Sequence, residues 1–363
     1  MKNVVKSIGF CLMFLLFSVG FQYKSRGTAF PVNIYSIDSL LLVADEMKGI
    51  LIYSVPATDT PQLLQTIQLK GVRGMAMKDS TVFVGTWDGV LAYQRGNSGT
   101  YDSVCAVYRW NCCMNSAYGD VYYSRSPMSC GCSEPVMYDG AGTEAEGSGG
   151  VGGSYAVFAI IDTFLYVVDG SYLVTFSIAR PDSMYRLSYI DVSWPIETLY
   201  PMETCLYIGG TNGMYIVDRT DGANPKLSGT VAHFRACDPV VVKDSTAWVT
   251  LRSGSRCGSS NDELWTVSVK DPYKPELLYT TAASTPYGLA VRDSLLYVAN
   301  GHNGFSLYRV DGENKPVLLK QWDDYTTKDF IWSEDRLFVM TFNEVYIVNV
   351  TDPMEPRLVY TLP

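Results

Sequence analysis

The stretch Asp293-Ser-Leu-Leu-Tyr-Val-Ala-Asn-Gly-His-Asn-Gly-Phe-Ser-Leu-Tyr-Arg-Val310 contains the pattern that decides the fold. It reads as a turn residue, an apolar strand, a glycine-containing turn and a second apolar strand. The same order returns in Asp335-Arg-Leu-Phe-Val-Met-Thr-Phe-Asn-Glu-Val-Tyr-Ile-Val-Asn-Val350. Val, Leu, Tyr and Phe fit a half-buried pleated surface, and Gly and Asn suit tight turns. The pattern therefore predicts a repeated β-hairpin.

The turn position recurs at seven acidic residues along the chain. Four of the intervals are 41 residues, the interval after the second copy is 83, and that after the fifth is 49. A four-stranded unit of about 40–45 residues has the size of one propeller blade. We therefore predict an all-β fold, a seven-bladed β-propeller of four-stranded antiparallel blades. A flat solenoid is the alternative, although no capping unit is visible. The seven residues are Asp38, Asp79, Asp162, Glu203, Asp244, Asp293 and Glu334.

The sixth copy shows where the strands of one blade should lie. We predict strands over Tyr287–Val291, Leu295–Ala299, Phe305–Val310 and Val317–Gln321. Third strands such as Met214–Val217 and Val345–Val348 are apolar throughout, which predicts burial on both faces. If the last copy ends with its own fourth strand, Arg357–Leu362, blades one and seven close the ring by side-to-side packing. An extra strand from residues 22–30 is the alternative.

The N-terminus predicts a signal peptide over residues 1–21. Lys2 and Lys6 precede an apolar run, Ile8–Phe21, and polar residues follow at Gln22–Arg26. This order is typical of a secretory signal, and the run is short for a membrane span. An uncleaved anchor is the alternative. Residues 22–363 then form one domain that is exported to the periplasm, the cell surface or the medium.

Composition limits the classes of partner and of chemistry. A net charge of −9 and a pI of about 4.8 argue against nucleic acid and anionic membranes as partners. No transmembrane segment is predicted beyond the signal peptide. The sequence lacks a nucleophile turn, a zinc-binding helix motif and a calcium loop, so we predict no cofactor and no metal. The sequence therefore favours a non-catalytic protein.

Several strands and turns carry a resemblance to a known family. Third strands read Met214-Tyr-Ile-Val-Asp218 and Val345-Tyr-Ile-Val-Asn349, and the turns after third strands read Asp271-Pro-Tyr-Lys-Pro275 and Asp352-Pro-Met-Glu-Pro356. Over roughly residues 33–363 the chain resembles the LVIVD-repeat family of predicted bacterial cell-surface β-propeller proteins. The resemblance implies the propeller fold. It implies no activity, because that family has none that could be carried over.

Two insertions interrupt the repeat. A Cys/Gly-rich insertion at residues 111–153 falls between the second and third blades, and a short one lies between Leu251 and Glu263, in a loop from strand two to strand three. In a propeller such loops share one face with the connections between blades, so we predict that both insertions decorate one face. Long loops on a rigid scaffold often carry binding. A disordered loop over Gly140–Gly153 is the alternative.

The cysteines predict disulfides. Nine are present, and eight remain after the signal peptide is removed. Disulfides suit an exported chain better than zinc, because the spacing in the large insertion lacks paired Cys-x-x-Cys hooks. We predict disulfides among Cys112, Cys113, Cys130 and Cys132, with Cys105 as a further candidate, and one between Cys237 and Cys257. Cys205 is predicted as a buried thiol that fills apolar space.

The connections between blades supply candidate binding residues around the channel mouth. His233, Arg235 and Asp238 share one connection. Others occupy equivalent positions: Arg73, Glu197, Tyr287, Lys328 and Asp329. Such mixed charges suit a polar ligand or acid–base chemistry on a glycan, or they only bridge blades. Aromatic residues near these loops suit sugar stacking or a protein hot spot, namely Trp87, Trp110, Trp194 and Tyr287.

These features predict an exported, non-catalytic binding scaffold for an unknown protein or glycan of the cell envelope. An alternative is a glycan-active envelope enzyme, a lyase or hydrolase, with its site at the channel mouth. A purely structural layer protein is a third possibility. A propeller hosts all three kinds of function, so the fold alone does not decide among them.

Overall fold

A computed structural model describes residues 30–57, 60–108, 150–192, 195–232, 239–253 and 261–362. These residues form seven antiparallel sheets in the order of the chain, each with four consecutive strands and the first with a short fifth strand, and the only helix among them is a single 3₁₀ turn, Pro181–Ser183. The predicted seven-bladed β-propeller is confirmed. Within the described ranges, no helix is long and apolar enough to span a membrane.

The first four blades take up the chain as far as Ala232, and one short extra strand, β9, lies between blades two and three. Their strands are β1 (Pro31–Ile37), β2 (Leu40–Asp45), β3 (Gly49–Ser54) and β4 (Gln62–Ile67); β5 (Val72–Lys78), β6 (Thr81–Thr86), β7 (Gly89–Arg95) and β8 (Tyr101–Tyr108); β9 (Val151–Gly152); β10 (Phe158–Ile161), β11 (Phe164–Asp169), β12 (Tyr172–Ser177) and β13 (Tyr185–Asp191); β14 (Ile196–Pro201), β15 (Cys205–Gly210), β16 (Gly213–Asp218) and β17 (Lys226–Ala232).

Blades five to seven complete the ring. Their strands are β18 (Val240–Lys243), β19 (Thr246–Leu251), β20 (Glu263–Ser268) and β21 (Glu276–Ala282); β22 (Leu289–Arg292), β23 (Leu295–Ala299), β24 (Phe305–Val310) and β25 (Pro316–Trp322); β26 (Asp329–Ser333), β27 (Arg336–Met340), β28 (Val345–Asn349) and β29 (Arg357–Leu362). The first strand of blade six begins at Leu289 and not at Tyr287 as predicted, because Tyr287 and Gly288 both bond to the single residue Ala299 of β23, which breaks the regular pairing, while the Gly288 nitrogen donates to the Lys328 carbonyl.

The ring closes by packing between blades one and seven. Each described blade is built from four consecutive strands, and neighbouring first strands contact one another around the ring, including β1 with β26. Ile34 and Leu41 of blade one share an apolar cluster with Phe338 and Ile347 of blade seven. The Arg336 guanidinium adds hydrogen bonds to the carbonyl oxygens of Val55 and Pro56, at 2.7 and 3.1 Å. Side-to-side packing of blades one and seven, one of the two closures that the sequence left open, is thus observed, and residues 22–29 of the alternative lie outside the described residues.

The repeated acidic turn residue has a backbone role. Six of the seven turn positions adopt φ values of 48–56°, in the left-handed region. Aspartate tolerates this region better than most residues, because its short polar side chain interacts with the local backbone. Glu203 is the exception, and it lies in a longer turn between β14 and β15. The periodic acid therefore marks the hairpin between the first two strands of each blade.

The third strands are buried as predicted. Met214–Val217 is fully buried, and within Val345–Val348 only Tyr346 is half-buried. Every fourth strand has a one-residue irregularity in its pairing with the third. Bulges at a sheet edge twist the outer strand and hinder pairing with another chain. The outer edge of the ring is therefore protected in each blade.

Two faces can be distinguished from the strand order. We call the upper face the one that carries the turns between strands two and three, together with the connections into each first strand. The lower face carries the remaining turns. Along β1 the chain runs from the upper face, near Pro31, to the lower face, near Ile37. Strand β9 pairs antiparallel with β1, Gly152 opposite Tyr35 and Val151 opposite Ser36. It therefore runs upward along the axis of the ring.

The segment 150–157 fills the centre of the ring and touches most blades. It contacts blade one through the pairing of β9 with β1, and blade two through Val157, which packs against Gly74. It contacts blade four through the Ala156 carbonyl, which accepts a hydrogen bond from the Leu199 nitrogen at 2.7 Å. The Ser154 hydroxyl accepts from the Leu289 nitrogen of blade six at 2.9 Å. This segment, which we call the axial segment, is not foreseen by the repeat.

The prediction that the large insertion lies on one face is wrong. Tyr108, the last residue of β8, lies at the upper edge of blade two opposite Gly89. Gly150 lies at the lower end of the axis, beside Ser36 and Ile37. The chain thus leaves blade two on the upper face and returns to the ring from the lower face. Residues 109–149 between these points lie outside the described residues.

Candidate functional site

The predicted candidates divide between the described residues and the rest. Arg73, Glu197, Tyr287 and Lys328 all lie on the upper face, at or just before the first strands of four blades. Several predictions fall outside the described residues: the signal peptide, His233, Arg235 and Asp238, Trp110 and Trp194, and the disulfides proposed for Cys112, Cys113, Cys130, Cys132, Cys237 and Cys257. Those stay predictions.

Asp329, the first residue of β26, anchors the axial segment. Its carboxylate is fully buried and accepts hydrogen bonds from the Ser154 nitrogen at 3.0 Å, the Ser154 hydroxyl at 2.6 Å and the Tyr155 nitrogen at 3.0 Å. Burial raises the pKa of this carboxyl to about 6, against hydrogen bonds from Ser154, Tyr155 and Phe330 that lower it. All of these donors belong to the fold, so Asp329 has a structural role.

Above Asp329 the side chain of Tyr155 forms the centre of an ionisable cluster. Burial raises the pKa of its hydroxyl, and the charges of Arg252, Asp329 and Glu197 act on it. The Lys328 ammonium lies 5.9 Å from the centroid of the Tyr155 ring. Burial also lowers the pKa of Lys328, which the carboxylates of Asp329 and Glu46 oppose. Glu197 and Lys328 thus both act on Tyr155, which the sequence did not single out.

A row of stacked side chains leads away from this cluster over blades five to seven. The Arg252 guanidinium lies 3.7 Å from the centroid of the Tyr287 ring. Tyr287 meets Phe342 edge to face at 5.5 Å, and Phe342 stacks on the exposed His302 ring at 4.9 Å. Cation–π and aromatic pairs of this kind hold side chains in fixed positions. The row thus presents a pre-formed polar and aromatic surface.

A strained residue lies beside this row. Thr285 has φ 48°, which is unusual for a β-branched side chain. Its nitrogen donates to the Asp262 carboxylate at 3.2 Å, and its hydroxyl oxygen accepts from the Asn303 amide at 3.1 Å. Strain of this kind persists only where surrounding contacts impose it, and it is concentrated at functional sites.

Arg73 lies in a second group of side chains, at blades two and three. Its guanidinium donates to the Asp169 carboxylate at 2.9 Å and lies 4.9 Å from the centroid of the Trp87 ring. Trp87, which the sequence placed near these loops, is 70% exposed. The four described candidates therefore share one face but form two groups, with Arg73 apart from the cluster around Tyr155.

The upper face has donors, acceptors and aromatic rings suited to a polar ligand, but no metal centre is evident. Within the described ranges, no group of three or more His, Cys, Asp or Glu residues is placed to hold a metal ion. A cavity of about 220 Å³ lies at the opposite, lower end of the axis, bordered by Asp38, Val151, Trp332 and Glu334. None of the predicted site residues lines it.

Two cysteines can be placed. Cys205 is buried in β15 as a thiol, as predicted, and burial raises its pKa. A raised pKa keeps a thiol protonated and unreactive. Cys105 is half-buried in β8, the outermost strand of blade two, four residues before residues 109–149 begin. Its predicted partners lie outside the described residues.

Comparisons with known proteins agree on the fold. No protein-family model matches the sequence, and no curated protein matches it. The periplasmic gluconolactonase PpgL of Pseudomonas aeruginosa has a similar structure, with a TM-score of 0.62, 11% identity and coverage of 92% of this chain and 96% of that chain. A protein from Lactobacillus plantarum is similar with a TM-score of 0.61 and 12% identity, over 92% of this chain and 95% of that chain. BamB of Moraxella catarrhalis is similar with a TM-score of 0.51 and 8% identity, over 85% of this chain and 79% of that chain. Identities this low show the propeller fold alone.

Proposed function

We propose that the protein is an exported, non-catalytic scaffold of the LVIVD-repeat type, which binds a protein or glycan of the cell envelope through its upper face. Export is supported by the charged and then apolar N-terminus, and family membership by the third-strand and Asp-Pro motifs quoted above. The net charge of −9 makes nucleic acid an unfavourable partner.

One observation carries the binding role: the centre of the ring is occupied by the chain itself. The buried carboxylate of Asp329 has its oxygens engaged by Ser154 and Tyr155 of the axial segment. A ligand therefore meets the outer surface of the upper face, where Trp87 is 70% exposed and His302 is exposed. Exposed, pre-formed aromatic surfaces suit association, because little conformational freedom is lost on binding.

Selective capture tests this proposal. The protein would be immobilised and exposed to solubilised envelope proteins and to envelope glycans. An upper-face variant would combine Trp87→Glu, Tyr108→Glu and His302→Glu, all at exposed positions on turns or strand ends of that face. A matched lower-face variant would combine Tyr273→Glu, Lys315→Glu and Met354→Glu, also exposed. We expect capture by the protein and by the lower-face variant, and none by the upper-face variant.

Capture that survives the upper-face changes but not the lower-face changes would move the site to the other face. Capture of nothing by the unaltered protein would refute the scaffold. The circular dichroism spectrum and thermal transition of each variant would be recorded first, because only folded variants report on binding.

A second candidate is a glycan-active enzyme at the channel mouth. The observation that favours it is the cluster of Tyr155, Glu197, Arg252 and Lys328 at the upper end of the axial segment. Burial lowers the pKa of Lys328, and an amine whose pKa is lowered is a better proton acceptor near neutral pH. The Glu197 carboxylate, whose charge acts on the same Tyr155, adds a second ionisable group to the cluster.

Product analysis separates the two candidates. Envelope glycans would be incubated with the protein, with Glu197→Gln and with Lys328→Met. The scaffold predicts unchanged glycans in all three reactions. The enzyme predicts products from the unaltered protein and their loss in both variants, with the fold intact.

A further inference from the structure

We propose that the upper edge of blades two and three holds a subsite for a neutral saccharide, in which a sugar ring stacks on Trp87 while its hydroxyls bond to Arg73 and Asp169. This inference rests on the proposed upper-face function and names the ligand class for one part of that face.

The indole of Trp87 is exposed at the upper edge of blade two. Trp87 and Asp88 form the tight turn between β6 and β7, and 70% of Trp87 is exposed. Tyr108, at the end of the adjacent strand β8, is 62% exposed. Large aromatic side chains bury far more surface in an ordinary fold, so two such rings at one edge indicate a contact surface.

The exposed indole is held in place by its neighbours. Gly71 has φ 68°, and a β-carbon at this position would lie 2.4 Å from Cδ1 of Trp87. The ring therefore rests directly on the backbone of Gly71, which only glycine permits. The Arg73 guanidinium lies 4.9 Å from the ring centroid, and the Thr86 hydroxyl accepts from the Asp88 nitrogen at 3.2 Å, which fixes the turn. A ring that is already ordered loses little entropy on binding.

A polar pair, Arg73 and Asp169, lies beside the ring. One nitrogen of Arg73 donates to Asp169 at 2.9 Å, and the side chains of both residues are about a quarter exposed, at 24% and 25%. Among the described residues, no other hydrogen bond or ion pair involves the Arg73 guanidinium. The remaining N–H groups can donate to sugar hydroxyls, and the second Asp169 oxygen can accept from them. A sugar ring can use both the donors of Arg73 and the acceptor of Asp169, because each of its hydroxyls can both accept and donate a hydrogen bond.

Charge decides between a neutral and an anionic sugar. Arg73 is offset by Asp169, and Asp88 adds a further carboxylate in the same turn as Trp87. The local charge is therefore not positive, and the whole chain carries −9. A uronic acid would be repelled, whereas a neutral sugar would not.

The surroundings of Trp87 also favour a saccharide over a protein. Hot spots of protein interfaces lie in dry pockets ringed by groups that exclude water. The neighbours of Trp87 are instead charged and half-buried or exposed, namely Arg73, Asp88 and Asp169. A solvent-exposed indole with polar neighbours suits a sugar ring, which has hydroxyls around its edge and an apolar face.

Calorimetric titration with defined oligosaccharides tests the subsite. The probes are neutral oligomers of glucose, galactose, mannose and N-acetylglucosamine, with oligomers of galacturonic acid as the anionic comparison. The variants are Trp87→Ala and Arg73→Gln, with Met47→Ala as the control. Met47 occupies the equivalent turn of blade one on the same face and is 68% exposed.

We expect at least one neutral oligomer to bind, with affinity at least tenfold weaker in Trp87→Ala, several-fold weaker in Arg73→Gln and unchanged in Met47→Ala. Galacturonic acid oligomers should bind more weakly than the neutral probe. No binding of any neutral oligomer, or equal binding by Trp87→Ala, would overturn the subsite. Either result would leave the scaffold standing if the upper-face variant still fails to capture its envelope partner, because that experiment does not depend on sugar.

Discussion

The carboxylate of Asp329 accepts hydrogen bonds from the nitrogen and the hydroxyl of Ser154, although the two residues are 175 positions apart in the chain. This contact joins the first strand of blade seven to the axial segment that precedes blade three. The Ser154 hydroxyl also accepts a hydrogen bond from the Leu289 nitrogen, which links the axial segment to blade six. One buried carboxylate thus ties together parts of the ring that the repeat leaves separate.

Replacing Asp329 by alanine should lower the free energy of unfolding by about 3 kcal/mol, because three buried donors lose their acceptor. Urea denaturation at neutral pH measures this. Asp335→Ala is the control, an exposed carboxylate two residues beyond the end of β26, and it should change stability by less than about 0.5 kcal/mol. Equal effects of the two changes would contradict an anchoring role for Asp329.

Stability should also depend on pH through Asp329. Burial raises its pKa from 3.8 to about 6 in the folded protein. Between these values the unfolded chain releases the proton while the folded protein keeps it. The contribution of this group is therefore fully present below about pH 4 and is lost as the pH rises through about 6. The difference in unfolding free energy between the protein and Asp329→Asn should shrink from pH 4 to pH 7. A difference that stays constant would show that the carboxyl has an ordinary pKa.

Gly288→Ala should be strongly destabilising. A β-carbon there would lie 2.3 Å from Oδ1 of Asp329, 2.8 Å from the Ser154 hydroxyl oxygen and 2.9 Å from the Asp329 Cα. Because the carboxylate is fixed by its hydrogen bonds, the added methyl should cost about 2 kcal/mol. Gly312→Ala, with no atom within 4 Å, serves as the control. If both variants unfold at the same urea concentration as the protein, the centre of the ring is looser than described.

Ring closure can be tested at Arg336. Arg336→Met keeps the apolar stem but removes the hydrogen bonds to the carbonyl oxygens of Val55 and Pro56. We expect a loss of about 2 kcal/mol in thermal or urea unfolding, because these bonds have a charged donor. Arg357→Met, at an exposed position of the same blade, should have little effect. An unchanged midpoint for Arg336→Met would leave closure to the apolar cluster alone.

The blades could be predicted from sequence because their signals are local and periodic. Each repeat contains three recognisable features: an acidic residue at a left-handed position, such as Asp293, an apolar strand, and a turn with glycine, such as Gly304. Burial of the third strands followed in the same way, from unbroken apolar runs. The closure of the ring stayed open at the level of sequence, because it depends on packing between blades one and seven at opposite ends of the chain.

The centre of the ring could not be predicted, because nothing in residues 150–157 repeats. Strand β9 has two residues, and its partner, β1, lies more than a hundred positions earlier. The need for glycine at Gly153 arises from Asp329, since a β-carbon there would lie 2.1 Å from its carboxylate. Pairings this distant leave no local pattern, so the lower-face return of the large insertion was missed as well.

The site was predicted in part for the same reason. Counting positions within the repeat placed Arg73, Glu197, Tyr287 and Lys328 on one face. Arg252 and Phe342 follow second strands on that face and could have been found by the same count. Tyr155 could not, since its place depends on the axial segment.

The most direct test of the account is a hydrogen-exchange footprint of the protein with and without the envelope ligand that it captures. Upper-face binding predicts slower exchange at the turns around Trp87, Gly170 and His302. Exchange at the lower-face turns around Asp38, Asp271 and Asp352 should not change. Protection confined to those lower-face turns would contradict the central claim that the upper face is the binding surface.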